Sequence, residues 1–158
     1  MTNVSVIPAA AVLLSAILCG HSAAAAEAAK DWQIKSLKGI TSIQYAVAED
    51  PHGQLTKALK AGVTGLNVAA KQVNFPAPIT LDTTDALVKV AVDKRKNGKN
   101  WVGLYVHQKS KLDRDPSISY EAETYGIGAL VPNAKVNATV EELVSQFGSD
   151  FKSANASQ

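Results

Sequence analysis

The sequence predicts an α+β fold, a two-layer sandwich whose antiparallel-rich sheet of about four strands carries two helices packed on one face. Three observations lead there. Two segments, 56–73 and 139–153, repeat apolar residues at helical spacing. Others alternate apolar with polar residues, as half-buried strands do. Asn97-Gly98 separates two of those alternating runs, which marks a hairpin.

The elements follow in order. Residues 27–38 form a polar lead-in, with Trp32, Ile34 and Leu37 as packing anchors. Residues 40–49 read as a first strand, with Ile43, Tyr45 and Val47 on alternate positions. Asp50-Pro51-His52-Gly53 is turn chemistry. The first helix, over 56–73, stacks Leu59, Val63, Leu66, Ala70 and Val73 on one side. Thr56 suits its N-cap, with Leu55 packing just before it. Gly62 and Gly65 weaken a helix by about 1 kcal/mol each relative to Ala; close packing against the sheet would explain them. Phe75-Pro76-Ala77-Pro78 ends the element, and 79–84 is a short extended piece.

Residues 86–93 form a clear strand, with Ala86, Val88, Val90 and Val92 facing one way. After the Asn97-Gly98 turn, 101–112 returns. Val102, Leu104 and Val106 share one face of it; Trp101, Tyr105 and His107 share the other. Lys111 to Pro116 is polar and turn-like, and 119–130 is a further strand. Gly126-Ile127-Gly128 lies near its end, where backbone or an aromatic ring packs closely. The last helix, 139–153, is capped by Asn137 or Thr139. Its stripe is Val140, Leu143, Val144, Phe147 and Phe151, and Glu141 and Glu142 suit its first turn. Residues 154–158 are a frayed tail.

The compartment is legible in the charge pattern. The first 26 residues hold no Asp, Glu, Lys or Arg, so all 16 basic and 14 acidic residues begin at Glu27. Residues 4–18 are almost wholly apolar, and Ala24-Ala25-Ala26 follows as a small-residue cleavage site. This is a signal peptide over residues 1–26, cleaved before Glu27, with one soluble domain over 27–158. The apolar core is shorter than the roughly 20 residues of a bilayer span. No Lys or Arg precedes it, which keeps open a retained anchor; membrane association is expected only in that case. Cys19 is the sole cysteine, and Leu18 before it does not suit a lipidation site. Cleavage leaves a mature domain without cysteine, hence without disulfides, thiol catalysis or Cys-ligated zinc. The expected location is periplasmic or secreted.

Charge and motifs bound the function. A net charge of +2 does not indicate a nucleic-acid partner. The basic cluster Lys94-Arg95-Lys96 with Lys99 surrounds the hairpin turn and reads as a solvated tip. His52 and His107 do not make a metal site with any carboxylate spacing present. Asp113, Asp115 and Glu121 lack the glycine and alternation of a calcium loop. There is no Gly-x-Ser-x-Gly and no dinucleotide fingerprint. Asn137-Ala138-Thr139 and Asn155-Ala156-Ser157 match glycosylation sequons but carry no weight in a bacterial-type protein. No catalytic, cofactor or metal residues are therefore assigned, and no cofactor is expected.

Glu121 and Glu123 share one strand face and read as a solvated face balanced by lysines next door. Trp101, Tyr105, His107 and Tyr125 are the candidate binding surface, on the sheet face opposite the helices. The competing reading has these aromatics cover the sheet or pack under the N-terminal segment with Trp32.

Leu37-Lys38-Gly39-Ile40, the Val-rich run 87–92 and Val140-Glu141-Glu142-Leu143-Val144-Ser145-Gln146-Phe147 together give a layout that resembles a group of small uncharacterised exported bacterial proteins. It is similar in architecture to the small α/β domains of periplasmic assembly proteins such as the TolB N-terminal type. The resemblance implies a fold and a compartment and brings no catalytic residue. The expected function is a non-enzymatic exported domain that binds an envelope protein or other envelope component, with oligomeric state left open. The alternatives are a small-molecule or lipid carrier with a pocket between helices and sheet, and a hydrolase using Glu121, Glu123 and His107.

Overall fold

The computed structural model describes residues 28–50, 52–75, 84–95 and 97–156. The expected signal segment and the extended piece up to residue 83 lie outside them. So do Pro51 of the first turn and Lys96 of the basic cluster.

Chain order is α1 (Asp31–Ser36), β1 (Ser42–Val47), α2 (Gln54–Thr64), β2 (Ala69–Gln72), β3 (Ala86–Lys94), β4 (Lys99–Leu112), β5 (Asp115–Pro132), a 3-10 turn (Asn133–Lys135) and α3 (Val136–Asn155). The five strands form one sheet in the order β2-β1-β3-β4-β5. β1 runs parallel to both its neighbours, and β3, β4 and β5 form an antiparallel meander. The α+β class and the meander agree with the sequence. Among the described residues the sheet has one more strand than expected and is mixed, and there are three helices instead of two.

The added strand comes from the helix expected over 56–73. That helix stops at Thr64, where the N–H of Gly65 closes the last turn on Ala61 and Gly62. Asn67 then takes a left-handed conformation (φ 58°) and turns the chain. Residues 69–72 run out as an edge strand beside β1. The N–H of Ala69 donates to Thr41 O and that of Val73 to Tyr45 O, both at 3.0 Å. All four β2 residues are exposed, so the strand bears no alternation that a sequence reading could use. The parallel unit β1-α2-β2 is the result. The helix also starts two residues before Thr56. Thr56 is not its N-cap: the carboxylate of Asp50 accepts the Thr56 N–H at 2.7 Å.

α3 leaves the 3-10 turn directly and starts at Val136, before either expected cap. Asn137 instead donates through Nδ2 to Gln54 Oε1 at 2.6 Å, tying the start of α3 to that of α2.

The main core lies between the sheet and the helices. Val88, Val90, Val102, Leu104 and Val106 of β3 and β4 are fully buried there against Leu59 and Val63 of α2 and Val140 and Phe147 of α3. Phe147 sits edge-on to Tyr125 (5.7 Å between centroids) and to Phe151 (6.0 Å). α2 and α3 pack closely because position 62 is glycine. A Cβ there would collide with Cγ1 of Val144. The close approach expected of Gly62 is therefore to the neighbouring helix and not to the sheet.

A second, small cluster forms on the opposite face, where Ala46 and Leu87 are buried with Val73 packed on them. The chain leaving β2 thus covers the β1–β3 part of that face. Nearby, Lys89 Nζ stands 4.8 Å from the Phe75 ring centroid. The β4–β5 part of the same face is built differently.

Candidate functional site

β4 places Trp101, Gly103, Tyr105 and His107 on its outward side, away from α2 and α3. Opposite them in register on β5 stand Leu130, Gly128, Gly126 and Glu123. Three of the outward positions are glycines, which leaves a shallow trough in the sheet. The two aromatic rings lie in it. A Cβ on Gly128 would fall 2.6 Å from Cζ2 of Trp101, and one on Gly103 would fall 2.6 Å from Cε2 of Tyr105. A Cβ on Gly126 would come within 3.3 Å of the Tyr105 ring. Large rings covering strand glycines keep the bare backbone from water. The close approach expected at Gly126-Ile127-Gly128 is therefore realised by Trp101 and Tyr105.

The rings also fix each other. Trp101 Nε1 donates to Tyr105 Oη at 2.7 Å. Both side chains are half-buried. One ring face of the pair is committed to backbone, and the indole donor is satisfied within the pair.

α1 and the residues before it complete the surroundings. Ala28, Lys30 and Gln33 come alongside the β5 edge and line a hollow of about 190 Å³ with Trp101, Tyr105, Glu123 and Gly126. Gln33 is held in place because its Oε1 accepts the Lys30 N–H at 2.8 Å. Ser36 Oγ reaches the β5 carbonyl of Thr124 at 3.0 Å, fastening α1 to that edge. The reading in which the aromatics pack beside the N-terminal segment is thus realised in part, but Trp32 takes no share in it. It is 58% exposed, while Leu37 is fully buried and Ile34 packs against the core.

Further along the same face the chemistry turns polar. His107 Nδ1 lies 3.1 Å from Glu121 Oε1, and Glu121 is the register partner of Lys109. The sequence suggests lysines as the balance of this face; the side chain paired with Glu121 is His107, and Lys109 stands opposite it in register. Of the three residues considered for acid–base chemistry, Glu123 alone lines the hollow; His107 and Glu121 pair beyond it. Among the described residues no group of three or more His, Cys, Asp or Glu side chains is placed to hold a metal ion.

Tyr125 is not on this surface. It is fully buried on the helix side, and its hydroxyl donates to Asp150 Oδ2 of α3 at 2.8 Å. The cause is a bulge. Val106 pairs with Tyr125, but His107 pairs with Glu123, so Thr124 is an extra residue in β5. One inserted residue exchanges the faces of all that follow. Glu121 and Glu123 before the bulge therefore share the outward face with Gly126 and Gly128 after it. Burial of the phenol, then the hydrogen bond to Asp150 and its charge, push the Tyr125 pKa far up.

Two other hollows lie elsewhere. One of about 710 Å³ runs between α2 and α3 along Ala61, Gly65, Ser145, Gly148 and Lys152. Another, of about 580 Å³, sits at the carboxyl ends of β1 and β2, bordered by Glu49, Asp50, Gln72 and Phe75. Burial would raise the Asp50 pKa. The N–H and hydroxyl of Thr56 and the N–H groups of Leu55 and Gln54 outweigh it and hold the carboxyl below its ordinary value. The Asp50 oxygens thus serve the start of α2.

Lys30 and Gln33 were not foreseeable as site residues, because it takes the folded chain to bring them to the β5 edge. Among the described residues, no helix is long and apolar enough to cross a membrane.

No family model matches the chain, and no curated protein matches it, so the similarity to the TolB type gains no support from either. Solved structures do match. One is the PelC dodecamer from Paraburkholderia phytofirmans, at 10% identity and a TM-score of 0.38, over 70% of this chain and 88% of that one. Another is a minor lipoprotein from Acinetobacter baumannii, at 10% identity and a TM-score of 0.33, over 73% of this chain and 93% of that one. At these values the chain is similar to both in outline, and neither likeness carries an argument about what it binds.

Proposed function

We propose that this chain is exported and that its domain is a non-catalytic binding module for a protein or another component of the cell envelope. The observation that carries the reading is the Trp101–Tyr105 pair. Two aromatic rings are held rigid on the sheet face turned away from both long helices, with the indole donor satisfied within the pair. Rigid aromatic area outside the core costs little ordering entropy on contact with a ligand, which is why Trp and Tyr recur as binding anchors. The composition shift at Glu27 supports export.

The test is crosslinking in the native host, with a photoreactive amino acid at position 107 on this face or at position 152 on α3. The reading expects an envelope adduct from position 107 and none from position 152. It expects the soluble species to begin at Glu27 by intact mass. Equal adducts from both positions, or none from 107, would overturn the binding-face assignment. A species retaining Met1 in the membrane would overturn cleavage.

A further inference from the structure

The geometry points to a saccharide as the ligand of the outward β4–β5 face, with the sugar ring stacked on Trp101 and Tyr105 and its hydroxyls met by Glu123, Gln33 and Lys30. The inference rests on the binding-face reading and names the ligand class for it.

The floor comes first. Trp101 and Tyr105 lie against Gly103, Gly126 and Gly128 and are half-buried, so a ligand meets the open part of two rings held in place by backbone and by each other. Such a floor suits a ligand with a flat C–H face. A ring whose polar atoms all pointed down would lose its hydrogen bonds to water there.

The rim decides between classes. The hollow of about 190 Å³ beside the rings is bordered by one acidic, one basic and one amide side chain: Glu123, Lys30 and Gln33. A carboxylate only accepts hydrogen bonds, an ammonium only donates, and an amide does both. An anionic ligand would face Glu123, and a cationic one would face Lys30. A neutral ligand whose edge carries groups that both donate and accept satisfies all three. A sugar ring has that combination: an apolar C–H face and a rim of hydroxyls.

The surroundings extend the match. Beyond the rings the same outward face continues through His107, Glu121 and Glu123 to Lys109 and Lys111, again with both signs of charge. From Trp101 to Lys111 the strand runs about 33 Å at about 3.3 Å per residue. That is a linear track, suited to an oligomer better than to one small molecule.

The full chain carries two tryptophans, and Trp32 is 58% exposed. Trp32→Phe therefore leaves Trp101 as the sole indole reporter. This protein is titrated with maltohexaose, cellohexaose and chitohexaose up to about 10 mM, enough to saturate a site with a Kd of about 1 mM. The expected result is a saturable change in Trp101 emission with at least one of them, weakened about tenfold by Glu123→Gln. No saturable change with any of the three overturns the inference, as does a response that Glu123→Gln and Lys30→Ala both leave intact. Protein adducts from position 107 with no sugar response would overturn the saccharide and leave the binding face standing. Trp101→Leu is a poorer test, because it uncovers the backbone at Gly128 and loosens the fold itself.

Discussion

β4 has two sides, and they are built on opposite rules. Its inward side, Val102, Leu104 and Val106, is fully buried, purely aliphatic and closed over by α3. Its outward side, Trp101, Tyr105 and His107, is half-buried and aromatic, with its polar atoms paired to one another or to Glu121. The inward residues have shape and no hydrogen-bonding groups, so they can do nothing but pack. The outward residues pack on one ring face and present polar groups at their rims. Aliphatic packing and the proposed binding surface lie on opposite sides of one strand. A substitution on either side therefore has its own signature.

The largest effect is expected inside. Phe147 is fully buried against Tyr125 and Phe151. Phe147→Ala removes a ring from a packed layer and should cost about 3–5 kcal/mol in chemical denaturation. For the fraction that stays folded, Trp101 emission, read in the Trp32→Phe protein, should keep its native maximum, since the indole sits on the other side of the sheet. A shift of that maximum in the folded state would mean the two sides are coupled and the separation is false.

A smaller and more selective effect is expected outside. Gly128→Ala puts a methyl 2.6 Å from Cζ2 of Trp101 and 2.9 Å from the Val102 carbonyl oxygen, and backbone does not give way. It should cost about 1–3 kcal/mol as an overpacked site and displace the indole, which the emission of the Trp32→Phe protein reports. Gly126→Ala is the matched control. Its methyl meets first the Glu123 Oε1 at 2.7 Å, the far end of a flexible side chain. It then stands 3.3 Å from the Tyr105 ring, which need give by only a few tenths of an ångström, so that variant should cost less than Gly128→Ala, under about 1 kcal/mol. Equal losses for the two alanines would show that strand glycine content matters and the aromatic bed does not.

How much of this contrast the sequence discloses depends on whether the cause is local. The β3–β4 hairpin is legible because its signals are local: alternating valines on either side of Asn97-Gly98, which take φ of 82° and 68° at the turn. The α3 stripe is legible for the same reason. So is the opposition of Val102 and Trp101, which period two alone dictates. Three features are not legible. β2 is a strand because β1 offers it hydrogen bonds, and Ala69-Ala70-Lys71-Gln72 has no pattern of its own. The bulge at Thr124 is fixed by β4 register and by Ser36 reaching its carbonyl, both non-local. That bulge carries Tyr125 from the expected outward surface into the core. The wall of the hollow from Lys30 and Gln33 needs the chain to fold back over the β5 edge, and no spacing within 28–33 announces it. The aromatics of the candidate site could be named from the sequence; their partners could not.

Tyr125 is fully buried on the inward side yet carries a polar end, so it tests the contrast at a weak point. Its hydroxyl donates to Asp150, and Tyr125→Phe keeps the ring against Phe147 while removing that bond. The expected loss is about 1 kcal/mol near neutral pH. The sharper readout is alkaline. The folded pKa lies above the unfolded value of about 10, raised by burial first and by Asp150 second. A group raised on folding contributes its full stability below the unfolded pKa and loses it as pH rises through the folded one. Wild-type stability should therefore fall above about pH 10, and the Tyr125→Phe protein should fall less steeply over the same range. Coincident alkaline limbs would mean that the phenol reaches solvent readily. The inward side of this sheet would then be open at the bulge, and the two faces would meet there.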